Sequence, residues 1–187
     1  MKQTKWIGAL LALAVLAGCG KDDSSSSGGS GGSASSQKTP EEAFKEFKAA
    51  GEAGDAKALW NSMSKKSHAK IATEMQKMID QINKKGDQEW EEAAKELGKP
   101  AAELKKMTPE EFGQLFVAMK MTTPEEKEKA KKLVLDKVEM RGEIAVLFTT
   151  KANGKKDLVA LVKEDGTWKA DLEEEEKLAD EVEKLNK

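Results

Sequence analysis

At Leu133 the spacing of apolar residues changes, and that change decides the fold class. Before it, apolar side chains recur every three or four residues: Ile71, Met75, Met78 and Ile82; Trp90, Ala94 and Leu97; Phe112, Leu115, Phe116 and Met119. Each set draws one stripe along a helix. After it they alternate, as in Val138 and Met140 or Ala145 and Leu147, the period of a strand with one buried face. Helices first and strands last predict an α+β domain, N-terminal helices packed on a four-stranded antiparallel meander.

Punctuation residues set the boundaries. Thr-Pro-Glu-Glu occurs at Thr39, Thr108 and Thr123, with unequal spacing and different sequences behind each copy. Threonine caps a helix, proline suits its first turn, and glutamate three residues on completes a capping box. Helices are expected over 40–51, 55–63, 67–85, 87–97, 108–121 and 123–132, with breaks at Gly51/Gly54, Gly86 and Gly98-Lys99-Pro100. Gly142-Glu143, Asn153-Gly154 and Glu164-Asp165-Gly166 read as hairpin turns dividing 133–172.

Turns of two, two and three residues fix a register. They place Val138, Met140, Ala145, Leu147, Leu158, Ala160, Val162, Trp168, Ala170 and Leu172 on the helix-facing side, with Asp136 as its one carboxylate. The opposite face then has charged edges, Lys137, Glu139 and Arg141 against Lys169 and Asp171. Its centre is apolar: Ile144, Val146, Phe148, Val159 and Leu161. Such a centre needs a cover. The C-terminal stretch with Leu178, Val182 and Leu185 is the first choice; a second copy in a homodimer, or a protein partner or apolar ligand, are the others.

Charge and composition exclude several functions. Lys+Arg is 32 and Asp+Glu 34, for a formal charge of −2, so no basic surface for nucleic acid is expected. One cysteine and one histidine, Cys19 and His68, rule out an intrachain disulfide and a Cys/His zinc site. Met63, Met75, Met78, Met107, Met119, Met121 and Met140 are scattered, and the stripe positions among them are ordinary core filler, so no copper site is expected. No cofactor or metal is implied.

The N-terminus follows a separate logic. Lys2 and Lys5 precede an uncharged run, Ile7 to Gly18. Twelve residues at about 1.5 Å each cover roughly 18 Å, short of the ~30 Å hydrocarbon core, which fits a secretory leader better than a permanent span. The run ends Leu16-Ala17-Gly18-Cys19, which resembles the bacterial lipobox at every position. That resemblance implies a diacylglycerol on the Cys19 thiol and cleavage just before it, and hence a membrane partner held through Cys19. Gly20 to Lys38 holds thirteen Ser or Gly in nineteen residues. Such a tract is a flexible tether of about 25 Å r.m.s. reach. The expected organisation is 1–18 leader, 19–39 lipidated cysteine and linker, 40–187 folded domain. By analogy with enteric bacteria, Gly20 where an Asp would signal inner-membrane retention favours the outer membrane in a Gram-negative host.

Thr39 to Ser64, with its Pro-Glu helix, Gly-Asp break and "ALW", and Gly142 to Leu172, with its "DGTWK" hairpin, together resemble small bacterial lipoproteins of the nuclear transport factor 2-like superfamily. The resemblance implies a cone, a curved antiparallel sheet wrapped by N-terminal helices, often with a pocket between them. Residues 64–132 depart from it, holding more helix and lacking the early strand. In such a pocket Phe44, Trp60, Leu147, Val162 and Trp168 are the candidate lining, though as the largest apolar residues they equally suit a core.

An enzyme of this kind would need a buried Asp/His pair or a tyrosine; there is no tyrosine, and His68 is expected to be exposed at a helix start. The expectation is a lipid-anchored, non-catalytic binding or scaffolding module. The alternatives are an enzyme using a pocket near Asp136 and a carrier of an apolar molecule between Trp60 and Trp168.

Overall fold

Three threonines start three helices. A computed structural model of the chain describes residues 39–187; Cys19, the leader and the linker up to residue 38 lie outside them. Thr39 opens α1 (Pro40–Ala53) and Thr108 opens α6 (Pro109–Met121), each with a complete capping box. Thr123 opens α7 (Pro124–Lys131), but its box is half made. The Thr123 hydroxyl accepts from the Glu126 amide, while the Glu126 carboxylate turns to Lys129 Nζ at 2.5 Å. A half-buried lysine outbids the cap.

The remaining helices before the sheet are α2 (Ala56–Asn61), α3 (Lys65–Lys85), α4 (Asp87–Leu97) and α5 (Ala101–Leu104), the last a single turn not foreseen from periodicity. α2 to α6 enclose one core of Trp60, Ile71, Met75, Trp90, Leu104 and Phe112. Trp90 meets Phe112 edge-on, with ring centres 6.5 Å apart, and its indole N–H donates to Asn83 Oδ1 at 3.0 Å. The α3–α6 contact is close because Gly113 has no side chain: a Cβ there would lie 2.7 Å from Ile71 Cγ2.

β1 (Val134–Arg141), β2 (Ile144–Thr150), β3 (Lys156–Glu164) and β4 (Thr167–Ala170) form an antiparallel meander in chain order. The first hairpin has the expected register, Met140 opposite Ala145 and Val138 opposite Leu147. The other two turns do not. Lys151 N–H donates to Lys155 O, closing a three-residue turn through Gly154, and Phe148 pairs with Leu158 where Val159 was expected. Asp165 and Gly166, both with positive φ, make a two-residue turn, so Lys163 stands opposite Trp168. Two errors of one residue cancel on β4 but turn β3 over. Val159 and Leu161 therefore face the helices, in a core with Phe44, Ala130, Leu133, Ala145, Leu147 and Ala170. Leu158 lies on the far side with Val146 and Phe148.

The far side is covered by the chain itself. α8 (Leu172–Lys177) and α9 (Ala179–Leu185) fold back, and Leu178 and Val182 pack on Ile144, Val146, Phe148 and Leu158. Arg141 donates through both terminal nitrogens to Glu181, each at 2.8 Å, and Asn186 bonds the Lys156 N–H and C=O at 2.9 Å each. The face proposed for a homodimer or protein partner needs correcting on both counts: Val159 and Leu161 do not belong to it, and Val146 and Phe148 are buried beneath the C-terminal helices.

The α2–α3 connection joins the sheet by backbone hydrogen bonds. Residues 62–64 run parallel to the end of β4: Ala170 N–H donates to Ser62 O and Ser64 N–H to Ala170 O, both at 2.8 Å.

Gly113→Ala is expected to destabilise the domain by about 1–2 kcal/mol in urea unfolding followed by tryptophan fluorescence. The overlap with buried Ile71, typically ~1–3 kcal/mol, exceeds the ~1 kcal/mol gained in helix propensity.

Candidate functional site

The residues expected to line a pocket do not share one. Phe44 and Leu147 are buried together between α1, α7 and the sheet, and Trp168 borders that core, with Lys163 Nζ 5.8 Å from its ring centre. Trp60 belongs to the helical core, and Val162, half-buried, is on the far face opposite Ile144 and Lys169. Ala130, Leu133, Ala145, Val159, Leu161 and Ala170 fill the space around Phe44 and Leu147.

Asp136 is not inward. It is the extra residue of a β-bulge between Leu135 and Lys137, exposed, accepting from Thr150 Oγ1 at 2.6 Å and Lys156 Nζ at 3.0 Å. The Thr150 hydroxyl, opposed by partial burial and helped by Lys156, holds its carboxyl below the ordinary range. A bulge shifts the alternation by one, which a strict period of two cannot anticipate. His68 is half-buried, not exposed: its ring stacks on Trp60 with centres 4.2 Å apart, and Nε2 lies 2.8 Å from Trp60 O.

The densest polar chemistry is at the α3–β4–α8 seam. Ser64, Ser67 and Asp171 are all fully buried. Ser64 caps α3 by accepting from the Ser67 N–H, and its hydroxyl donates to Asp171 Oδ2 at 2.7 Å. Ser67 Oγ donates to Ala170 O and accepts from the Leu172 N–H. Asp171 Oδ1 accepts from the Glu173 and Glu174 N–H groups, both at 3.0 Å, and so caps α8. One carboxylate and two hydroxyls thus terminate two helices and a strand.

The register read from sequence puts Asp171 on the charged outer rim of the sheet; the structure buries it. Its actual role was written in Asp171-Leu-Glu-Glu, an N-cap followed by an acidic first turn. A serine beside a carboxylate suggests a nucleophile, but Ser64 Oγ has no solvent contact through which a substrate could reach it. Between α3 and α8 the surface opens into a groove of about 670 Å³ walled by Lys66, Lys70, Glu74, Glu173, Glu176 and Lys177. Its walls carry three cations and three anions, and Lys70 pairs with Glu176 at 2.5 Å.

Among the described residues no three His, Cys, Asp or Glu side chains converge to hold a metal ion, and no helix is long and apolar enough to cross a membrane. No protein-family model, curated protein or solved structure matches the chain.

Asp171→Ala is expected to cost about 2–4 kcal/mol in urea unfolding, from a lost cap of ~1 kcal/mol and a lost bond to a buried charge of ~1.5–3. Asp171→Asn keeps an acceptor for the α8 amides and is expected to cost less.

Proposed function

We propose that this chain is a bacterial envelope lipoprotein, anchored by acylation of Cys19, whose exported domain binds or scaffolds and does not catalyse. The observation that carries the reading is Leu16-Ala17-Gly18-Cys19: the one cysteine stands where a lipobox needs it, after a basic start and a short apolar run. A single acyl chain binds only marginally at ~0.8 kcal/mol per CH₂, so two or three on one residue make the anchor firm. The Ser/Gly tract then spaces the domain from the headgroups. In a Gram-negative host the outer membrane is the proposed destination.

Kinship with nuclear transport factor 2-like lipoproteins belongs to the same proposal and rests on the helix-then-meander order and the Asp165-Gly166-Thr167-Trp168-Lys169 hairpin. The non-catalytic role is supported by the side chains an enzyme would recruit: Ser64 and Asp171 are consumed as caps, and Asp136 is tied to Thr150 and Lys156 on an exposed bulge.

Mass spectrometry of protein extracted from membranes of an expressing bacterium is expected to find a mature chain starting at Cys19 with diacylglycerol, and Cys19→Ala accumulating at precursor mass. A mature terminus elsewhere, or an unmodified Cys19, overturns the proposal.

A further inference from the structure

Glu175 on α8 is placed where its charge is costly. Its Oε1 is shut from solvent and has no hydrogen-bond partner. The nearest charged groups do little to help. From β3 comes Asp157; from the α8 cap comes Asp171; and the nearby cation, Lys151, is already paired with Asp157 at 2.5 Å. Across the groove, α3 presents Lys66 and Lys70, the latter held by Glu176. On α8 itself, Lys177 is paired with Glu174. Toward α9, the Lys156 ammonium is bound to Asp136, and Asn186 holds that residue's backbone. Burial, reinforced by Asp157, pushes the Glu175 carboxyl well above the ordinary glutamate range; an Ala160 N–H opposes this without reversing it.

Past its start, where Asp171 caps α8 and Leu172 is buried, the segment carrying Glu175 is lightly held. α9 has no buried residue, and helices of six and seven residues do not persist without a surface to dock on. The seat consists of half-buried Leu178 and Val182, the part-buried Arg141–Glu181 fork and the Asn186 clamp.

We propose that α8–α9 is a proton-controlled strap: it closes over Ile144, Val146, Phe148 and Leu158 with Glu175 protonated, and loss of that proton to solvent opens it. In the open state Glu175 is an ordinary carboxyl with a value of 4.5; in the closed state its proton is held to higher pH. Closure is therefore strongest below that ordinary value. As pH rises above it, opening grows by up to about tenfold per unit, levelling off once the closed state also ionises. Glu181, held below its ordinary value by Arg141, titrates beneath this window, as does Asp136.

Hydrogen exchange of the full chain in detergent, corrected for intrinsic rates between pH 5 and 8, tests this. Protection of residues 172–187 relative to β2 is expected to fall with pH by at least tenfold in the wild type. Glu175→Gln is expected to lose that fall and to be the better protected at pH 8. Arg141→Gln is expected to open more at every pH yet keep the slope. A flat wild-type profile, an unchanged slope in Glu175→Gln, or loss of the slope in Arg141→Gln overturns the proposal.

Discussion

The fold depends on how a helix start and a strand end satisfy each other's backbone. Ser62 and Ser64 give Ala170 the partners that the short β4 lacks along its open side, and Ser64, Ser67 and Asp171 answer the amides that begin α3 and α8. Unmatched buried polar groups are costly, and at this seam each hydroxyl both donates and accepts. The arrangement does with three small side chains what a larger apolar interface would otherwise do. It fixes the helical lobe, the sheet and the start of α8 relative to one another.

Much of this was legible in sequence. The change of period at Leu133 gave the class and the order of the elements, and the threonine caps gave helix starts to within a residue. What was lost was lost at turns. Asn153-Gly154 suits a two-residue turn as well as a longer one, and Asp165 accepts a left-handed backbone usually left to glycine. Alternation could not arbitrate, because Leu158-Val159-Ala160-Leu161-Val162 is apolar at every position. With both faces of β3 greasy, the count of turn residues alone chose which side faced the helices, and it was wrong twice. The cover over the far face survived that error, since Leu178 and Val182 were recognisable as a stripe in their own right.

The candidate site was less legible for a different reason. A domain with 5% aromatic residues spends its few large side chains on its cores, so Trp60 and Phe44, picked out by size, proved to be packing residues of separate clusters. The polar residues that matter, Ser64, Ser67 and Asp171, are small and common; Ser64 and Ser67 form a local cap, but Asp171 joins them only across more than a hundred positions of sequence. No spacing rule reaches that far. The proposed lipid-attachment motif is the opposite case, entirely local and independent of the fold beyond it.

The bulge at Asp136 bears on behaviour in crowded surroundings. A sheet of four strands has two free borders, each an invitation for another chain to add a strand. On one border the bulge interrupts the ladder and Lys137, Glu139 and Arg141 follow with charges. On the other, the end of β4 is occupied by the chain's own α2–α3 connection. Neighbouring copies concentrated in a small volume therefore find no clean border to extend.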